Sequence, residues 1–240
     1  MTSWPDAVAA AFALLAAGDP ALWRIVWVSL STSVTALVLA TPLAVLCGYL
    51  LATGRAGGRR TGRRILIWLV QAALSLPTVL IGLVLYMLLS RHGALGSMHW
   101  LFSQQGLVLG QACIALPVLM AYTLAAVQAA DPRYAETAIA HGASRARVMW
   151  TVLREARFGV MAALISGFGR VISEVGCALM VGGNIAGETR TITTAIALET
   201  SKGEFAQGIA LGMVLVAIAL LMNGALMLLQ GDAHAARGRL

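Results

Sequence analysis

Charged residues are widely spaced along this chain, and the gaps between them mark its elements. Arg24 to Arg55 encloses 30 uncharged residues, Arg64 to Arg91 encloses 26, Arg91 to Asp131 encloses 39 and Glu204 to Asp232 encloses 27. A helix crossing a bilayer needs about 20 mostly apolar residues, so each gap predicts one span. A fifth apolar block, 158 to about 181, is interrupted only by Arg170 and Glu174. The third gap is too long for one helix, and its first part, His92 to Gln105, is rich in Gly, His, Ser and Gln and reads as a loop. The predicted spans are about 25–51, 65–89, 106–128, 158–181 and 207–230, within a transmembrane domain 23–230 that carries a loop at 129–157 and is followed by a tail at 231–240. Pro42, Pro77 and Pro117 fall inside spans, where proline produces kinks that serve either a gate or packing. The run Ala7 to Ala17 has the length of a signal-peptide core, yet no Lys or Arg precedes Arg24, so residues 1–22 are expected to form an interfacial helix or extension.

Composition removes the soluble alternatives. Of 240 residues 59% are hydrophobic and 11% charged, less than half the roughly 25% that a solvated shell requires. The fold class is therefore an all-α integral membrane protein with about five transmembrane helices. The net charge of +7 reads as topology before it reads as nucleic-acid affinity. Residues 54–64 hold Arg55, Arg59, Arg60, Arg63 and Arg64, residues 129–157 hold Arg133, Arg145, Arg147, Arg154 and Arg157, and the tail holds Arg237 and Arg239. Twelve of the 17 cations thus fall on one side, which predicts an outer amino terminus and an inner carboxyl terminus. Cys47, Cys113 and Cys177 sit in apolar stretches with no CxxC neighbour and read as small fillers. His92 and His99, seven apart in a Gly-rich loop, read as solvated rather than as metal ligands.

The loop at 129–157 is long enough to be functional. Asp131-Pro132 is a helix start, with a capping carboxylate and proline at the first helical position. The predicted helix, Pro132 to His141, ends at Gly142, and Ser144 caps a second, amphipathic helix running toward Arg157. Ala135, Ala138 and Ala140 give the first helix a small-residue surface for close docking. A helix-turn-helix that reads DNA is disfavoured by attachment to membrane spans, so no nucleic-acid partner is expected.

Glu136-Thr137-Ala138 with Gly142 six residues after the glutamate resembles the cytoplasmic EAA motif of ABC-importer permeases, with Val152 at a position where that family prefers an aliphatic residue. The family's Leu-Pro is replaced here by Arg154-Glu155. Farther along, Gly169-Arg170-Val-Ile-Ser173-Glu174-Val-Gly176, Gly182-Gly183-Asn184-Ile185, Thr189-Arg190-Thr191-Ile-Thr193-Thr194-Ala-Ile and Glu199-Thr200-Ser201-Lys202-Gly203 are similar to permeases of the molybdate/tungstate group, the last two blocks most of all to its tungstate branch. The resemblance implies a type I importer permease that passes oxyanion, tungstate first and molybdate next, through a homodimer in the inner (plasma) membrane. It implies two partners, a cytoplasmic ATPase subunit that carries ATP and Mg and an extracytoplasmic oxyanion-binding protein. The chain itself would hold no cofactor or metal, catalyse nothing and contact lipid. The coupling residues it implies are Glu136, Thr137, Ala138, His141, Gly142 and Ala143.

Arg170 and Glu174 are four apart, on one helical face, where they can pair. A charge at mid-bilayer costs about 2.5–3.5 kcal/mol, so both are expected to face the interior, either as translocation residues or as a static pin. Hydroxyls that donate to an oxyanion without trapping it are the other candidate lining: Ser29, Ser33 and Thr41 in span one, Ser75 and Thr78 beside Pro77. The bland alternative for each is a bond back to the preceding turn. Gly208 and Gly212, with Gly159, Gly167, Gly169 and Gly176, read as helix-packing positions. The rival functions are an intramembrane hydrolase using Ser166 or a loop histidine, and an autonomous secondary carrier. The chain has no HExxH and no P-loop, and Ser166-Gly167 lacks the wider context of an intramembrane protease.

Overall fold

The computed structural model describes residues 4–54 and 60–237, so Arg55, Arg59 and Arg239 lie outside the described residues. Among these the structure is helical: α1 (Trp4–Ala17), α2 (Pro20–Ala52), α3 (Arg60–Leu74), α4 (Thr78–Leu89), a 3₁₀ turn (Gly96–Met98), α5 (Gln104–Ala129), α6 (Arg133–Ala140), α7 (Arg145–Glu155), α8 (Arg157–Ile172), α9 (Gly176–Gly182), α10 (Ile192–Lys202) and α11 (Phe205–Arg237). Among the described residues α2, α5 and α11 are each long and apolar enough to cross a membrane. Two further spans exist if each bent pair counts as one, Thr61–Leu74 with Thr78–Leu89, turned by 99°, and Arg157–Ile172 with Gly176–Gly182, turned by 62°.

The prolines behave differently from one another. Pro42 and Pro117 lie inside continuous helices, whereas Pro77 stands between α3 and α4 with an extended backbone (ψ 123°). The expected kink at Pro77 is a full break, because Ser75 and Leu76 have already left the helix before the proline removes its own N–H.

The chain divides into two compact units. The first comprises the chain up to Ala36, Pro77–Ile114 and Gly169–Met222. One of its cores joins Ala11 of α1 and Leu22, Ile25 and Val26 of α2 to Ile192 and Ala195 of α10 and Ala210 and Leu211 of α11. A second joins Leu85 and Leu89 of α4, Ile114 of α5, and Cys177 and Val181 of α9. The close approach of α4 to α9 depends on Gly82, where a Cβ would come within 2.8 Å of the Cys177 Cα. The N-terminal helix α1 is thus packed through Ala7 and Ala11, both buried.

The second unit comprises Leu37–Leu76, Ala115–Phe168 and the chain from Asn223. Its core gathers Tyr49 of α2, Val127 of α5, and Val152 and Ala156 at the end of α7. Arg63 of α3 closes the end of α2, its Nε donating to the Leu51 carbonyl at 2.7 Å and its terminal nitrogen to the Ala52 carbonyl at 2.9 Å. Those carbonyls have no intrahelical partner, and a cation there also complements the helix dipole. Of the glycines expected to pack, Gly159 meets Ala126, Gly167 meets Leu119 and Gly176 meets Val79. Gly169 and Gly212 face open space and a Cβ at Gly208 would come no nearer than 3.6 Å to Thr200 Oγ1, so among the described residues the Gly208–Gly212 pair makes no tight helix contact.

Candidate functional site

The loop at 129–157 is a helical hairpin in the second unit, and its turns are set by short-range chemistry. Asp131 Oδ1 accepts from the Arg133 N–H at 2.9 Å, a cap at the start of α6. At the other end the Gly142 N–H donates to the Ile139 carbonyl at 2.9 Å and the Ala143 N–H to the Ala138 carbonyl at 3.0 Å. Gly142 has φ +72°, the left-handed conformation that favours glycine. The Ser144 hydroxyl then accepts from the Arg147 N–H and starts α7. His141 is turned back on its own helix, its Nδ1 2.8 Å from the Thr137 carbonyl.

α7 is anchored more deeply than α6. Val148 and Val152 of α7 are buried, whereas α6 has no buried residue. The outward surface differs from the alanine stripe expected. Ala135 packs against the core of this unit and Ala138 is half-buried, while Tyr134, Ile139 and Trp150 are exposed, Trp150 at 68%. Ala135 lets α6 lie against the core, Ala140 stays exposed, and larger apolar side chains join it on the face the hairpin presents. Sequence spacing missed this because the face of an eight-residue helix is fixed by what it packs on rather than by its own pattern. Beside the hairpin is an open groove of about 560 Å³ lined by Asp131, Arg133, Tyr134, Thr137, Ala138, His141 and Thr151.

The expected Arg170–Glu174 pair does not form. α8 ends at Ile172, so the two residues no longer share a helix face. Arg170 is exposed. Glu174 is buried, and its carboxylate accepts from the Cys177 N–H at 2.9 Å, satisfying an unpaired donor in the first turn of α9. The backbone carbonyl of Glu174 accepts from the Thr193 hydroxyl at 2.6 Å.

Most of the candidate hydroxyls are already engaged. Ser29 accepts from the Ile192 N–H at 2.6 Å and so ties α2 to the start of α10. Thr41 donates back to the Leu37 carbonyl at 2.6 Å. Ser75 is exposed and Thr78 half-buried, on either side of the Pro77 break. Ser33 differs: its hydroxyl is buried without a partner, as is the Gln111 Oε1 of α5. Gln111 was not among the expected residues, although a glutamine inside an apolar span carried the same signal as Arg170.

The threonine-rich block is held by hydrogen bonds within itself as well as by those to Ser29 and Glu174. Thr189 donates to the Gly182 carbonyl at 2.6 Å and accepts from the Ile185 N–H at 3.0 Å. Thr191 and Thr194 form a reciprocal capping box at the start of α10. Among the described residues no group of three metal-capable side chains comes together.

This combination of long apolar helices, two broken helix pairs and an exposed helical hairpin is an all-helical fold suited to crossing a membrane. It superposes on a solved chain of an amino acid ABC transporter crystallised with histidines, with TM-score 0.63 over 92% of this chain and 98% of that one. The identity is 17%, so that likeness is one of fold. The chain belongs to the family described as binding-protein-dependent transport system inner membrane component, whose model matches residues 40–232. Among curated relatives it is 42% identical over 161 residues to the tungstate uptake system permease protein of Campylobacter jejuni, covering 67% of each chain. It is 32% identical over 223 residues to the tungstate uptake system permease protein of Peptoclostridium acidaminophilum, covering 93% of this chain and 96% of that one. The protein is therefore a multi-pass inner-membrane component of a transport system that works with a binding protein, and its relatives are transport subunits rather than enzymes.

Proposed function

We propose that this chain is the permease subunit of an ATP-driven importer of tetrahedral oxyanions, tungstate first and molybdate next. It works as a homodimer with a separate ATP-hydrolysing subunit, which carries ATP and Mg, and an oxyanion-binding protein outside the membrane. The observation that carries the reading is the likeness to tungstate permeases along nearly the whole chain. The two ions share size, shape and charge, so selectivity between them rests with the binding protein. Nothing favours a hydrolase or an autonomous carrier.

The amino terminus lies outside and the carboxyl terminus inside, a topology supported by the concentration of cations at 54–64 and 129–157. The hairpin α6–α7 is then cytoplasmic, and Glu136, Thr137, Ala138, His141, Gly142 and Ala143 form the ATPase contact. An exposed helix with no buried residue of its own, carrying exposed Tyr134 and Ile139, supports that role. Ser33 and Gln111 are the pathway candidates with free hydrogen-bonding capacity, whereas Ser29, Thr41 and Glu174 serve the fold. The test is uptake of labelled tungstate by cells carrying the complete system and by cells lacking this chain alone. Loss of saturable uptake is expected, and unchanged uptake refutes the assignment.

A further inference from the structure

In the first unit a polar cavity of about 370 Å³ opens beside the start of α2, lined by Pro20, Arg24, Trp27, Val28, Gln104 and Gly187. Its cation is held in place: Arg24 Nε donates to the Gly187 carbonyl at 2.9 Å, at a residue with φ +79°. Gln104, which also lines the cavity, is fixed by its amide donating to the Glu188 carbonyl at 3.0 Å. A guanidinium has five N–H donors, and only one here has a protein acceptor. Among the described residues no carboxylate makes an ion pair with Arg24. Asp19 caps α2 by accepting from the Ala21 N–H at 2.9 Å, and Glu188 makes no ion pair with Arg24. The site is therefore an exposed guanidinium, oriented by one hydrogen bond and without an ion pair among the described residues, whose remaining donors suit a tetrahedral oxyanion.

The surroundings decide which oxyanion. Trp27 is 71% exposed and Trp23 48%, at the end of a helix apolar enough to cross a membrane. That is the position where tryptophans anchor a protein at headgroup level. Seven residues farther along the same stripe of α2, Val34 is also exposed, so an apolar track leads away from the cavity. A free inorganic anion has no use for that track, whereas a phospholipid has a phosphate and an acyl chain joined at the right place. We propose that the Arg24 cavity binds the headgroup phosphate of an anionic membrane phospholipid, with the chain lying along Trp27 and Val34. The site depends on α2 entering a membrane and not on which substrate is transported.

Native mass spectrometry of the full chain, released from detergent with added dioleoyl phosphatidylglycerol, reads the site directly. The parent retains the lipid, and Arg24→Gln weakens retention about fivefold, the value of one cation near an anionic surface. Trp27→Ala leaves the Arg24–Gly187 bond intact and weakens retention as well, so the inference stays testable if Arg24→Gln misfolds. A molar excess of inorganic phosphate leaves the bound lipid in place. Retention equal to the parent in Trp27→Ala, or in a folded Arg24→Gln, overturns the proposal. Displacement of the lipid by inorganic phosphate overturns it too, assigning the cavity to a free anion.

Discussion

Gly142 offers the sharpest perturbation, because its cost can be worked from backbone geometry alone. A Cβ added there meets no atom within 4 Å, so the first side-chain carbon causes no clash in the isolated subunit. The whole penalty is conformational. At φ +72° an ordinary L-residue loses about 1–2 kcal/mol, and a β-branched one more. One to two kcal/mol is a factor of about 5–30 in the population of the turn. α6 has no buried residue, so little else holds it once the two turn hydrogen bonds are strained. Gly142→Val is expected to insert into the membrane normally yet lose most substrate-stimulated ATPase activity in proteoliposomes containing the complete complex. Gly142→Asn, which tolerates the left-handed region, is expected to keep most of it. Parental stimulation in Gly142→Val refutes the reasoning. Equal loss in the Asn variant refutes it differently, since the fault then lies in bulk at an interface.

Further outcomes follow from the contacts described. Glu174→Ala removes the cap on the Cys177 N–H and is expected to lower stability by about 0.5–2 kcal/mol in a detergent melt, whereas Arg170→Met changes it little and the double variant adds the two effects. A double variant more stable than Glu174→Ala reinstates the ion pair. Ser29→Ala leaves the Ile192 N–H buried and unpaired and is expected to cost about 1–3 kcal/mol; an unchanged melting temperature contradicts that hydrogen bond. Cysteine replacing Arg145 is expected to react only with reagent on the cytoplasmic side and cysteine replacing Glu188 only from outside, both positions being exposed; the opposite pattern overturns the topology.

Hydropathy made the apolar segments legible because a span must satisfy a length and a composition, and the gaps between charges measure both. The continuity of each segment was not legible. Three prolines stood in similar apolar runs, yet of the three only Pro77 separates two helices, so a proline in an apolar run did not by itself mark a break. The same blindness produced the Arg170–Glu174 pair, since a spacing of four places two side chains on one face only while the helix continues. The turn at Gly142 was legible because its chemistry is local, as were the caps from Asp131 and Ser144. Bonds between distant segments, such as Ser29 to Ile192 and Gln104 to Glu188, had no local signal.

The core that joins α1 and the start of α2 to α10 and α11 has a consequence for biosynthesis. Leu22, Ile25 and Val26 wait for Ile192, Ala195 and Leu211, about 170 residues later in the chain. At ribosomal rates of about 5–20 residues per second the first helices are in the membrane for roughly 8–35 seconds before their partners exist. Throughout that interval the Ser29 hydroxyl lacks the Ile192 amide it finally accepts from. The earliest part of the first unit is thus the last to reach its native contacts, and a nascent chain stalled before α10 leaves that face open to an insertase or to a membrane protease.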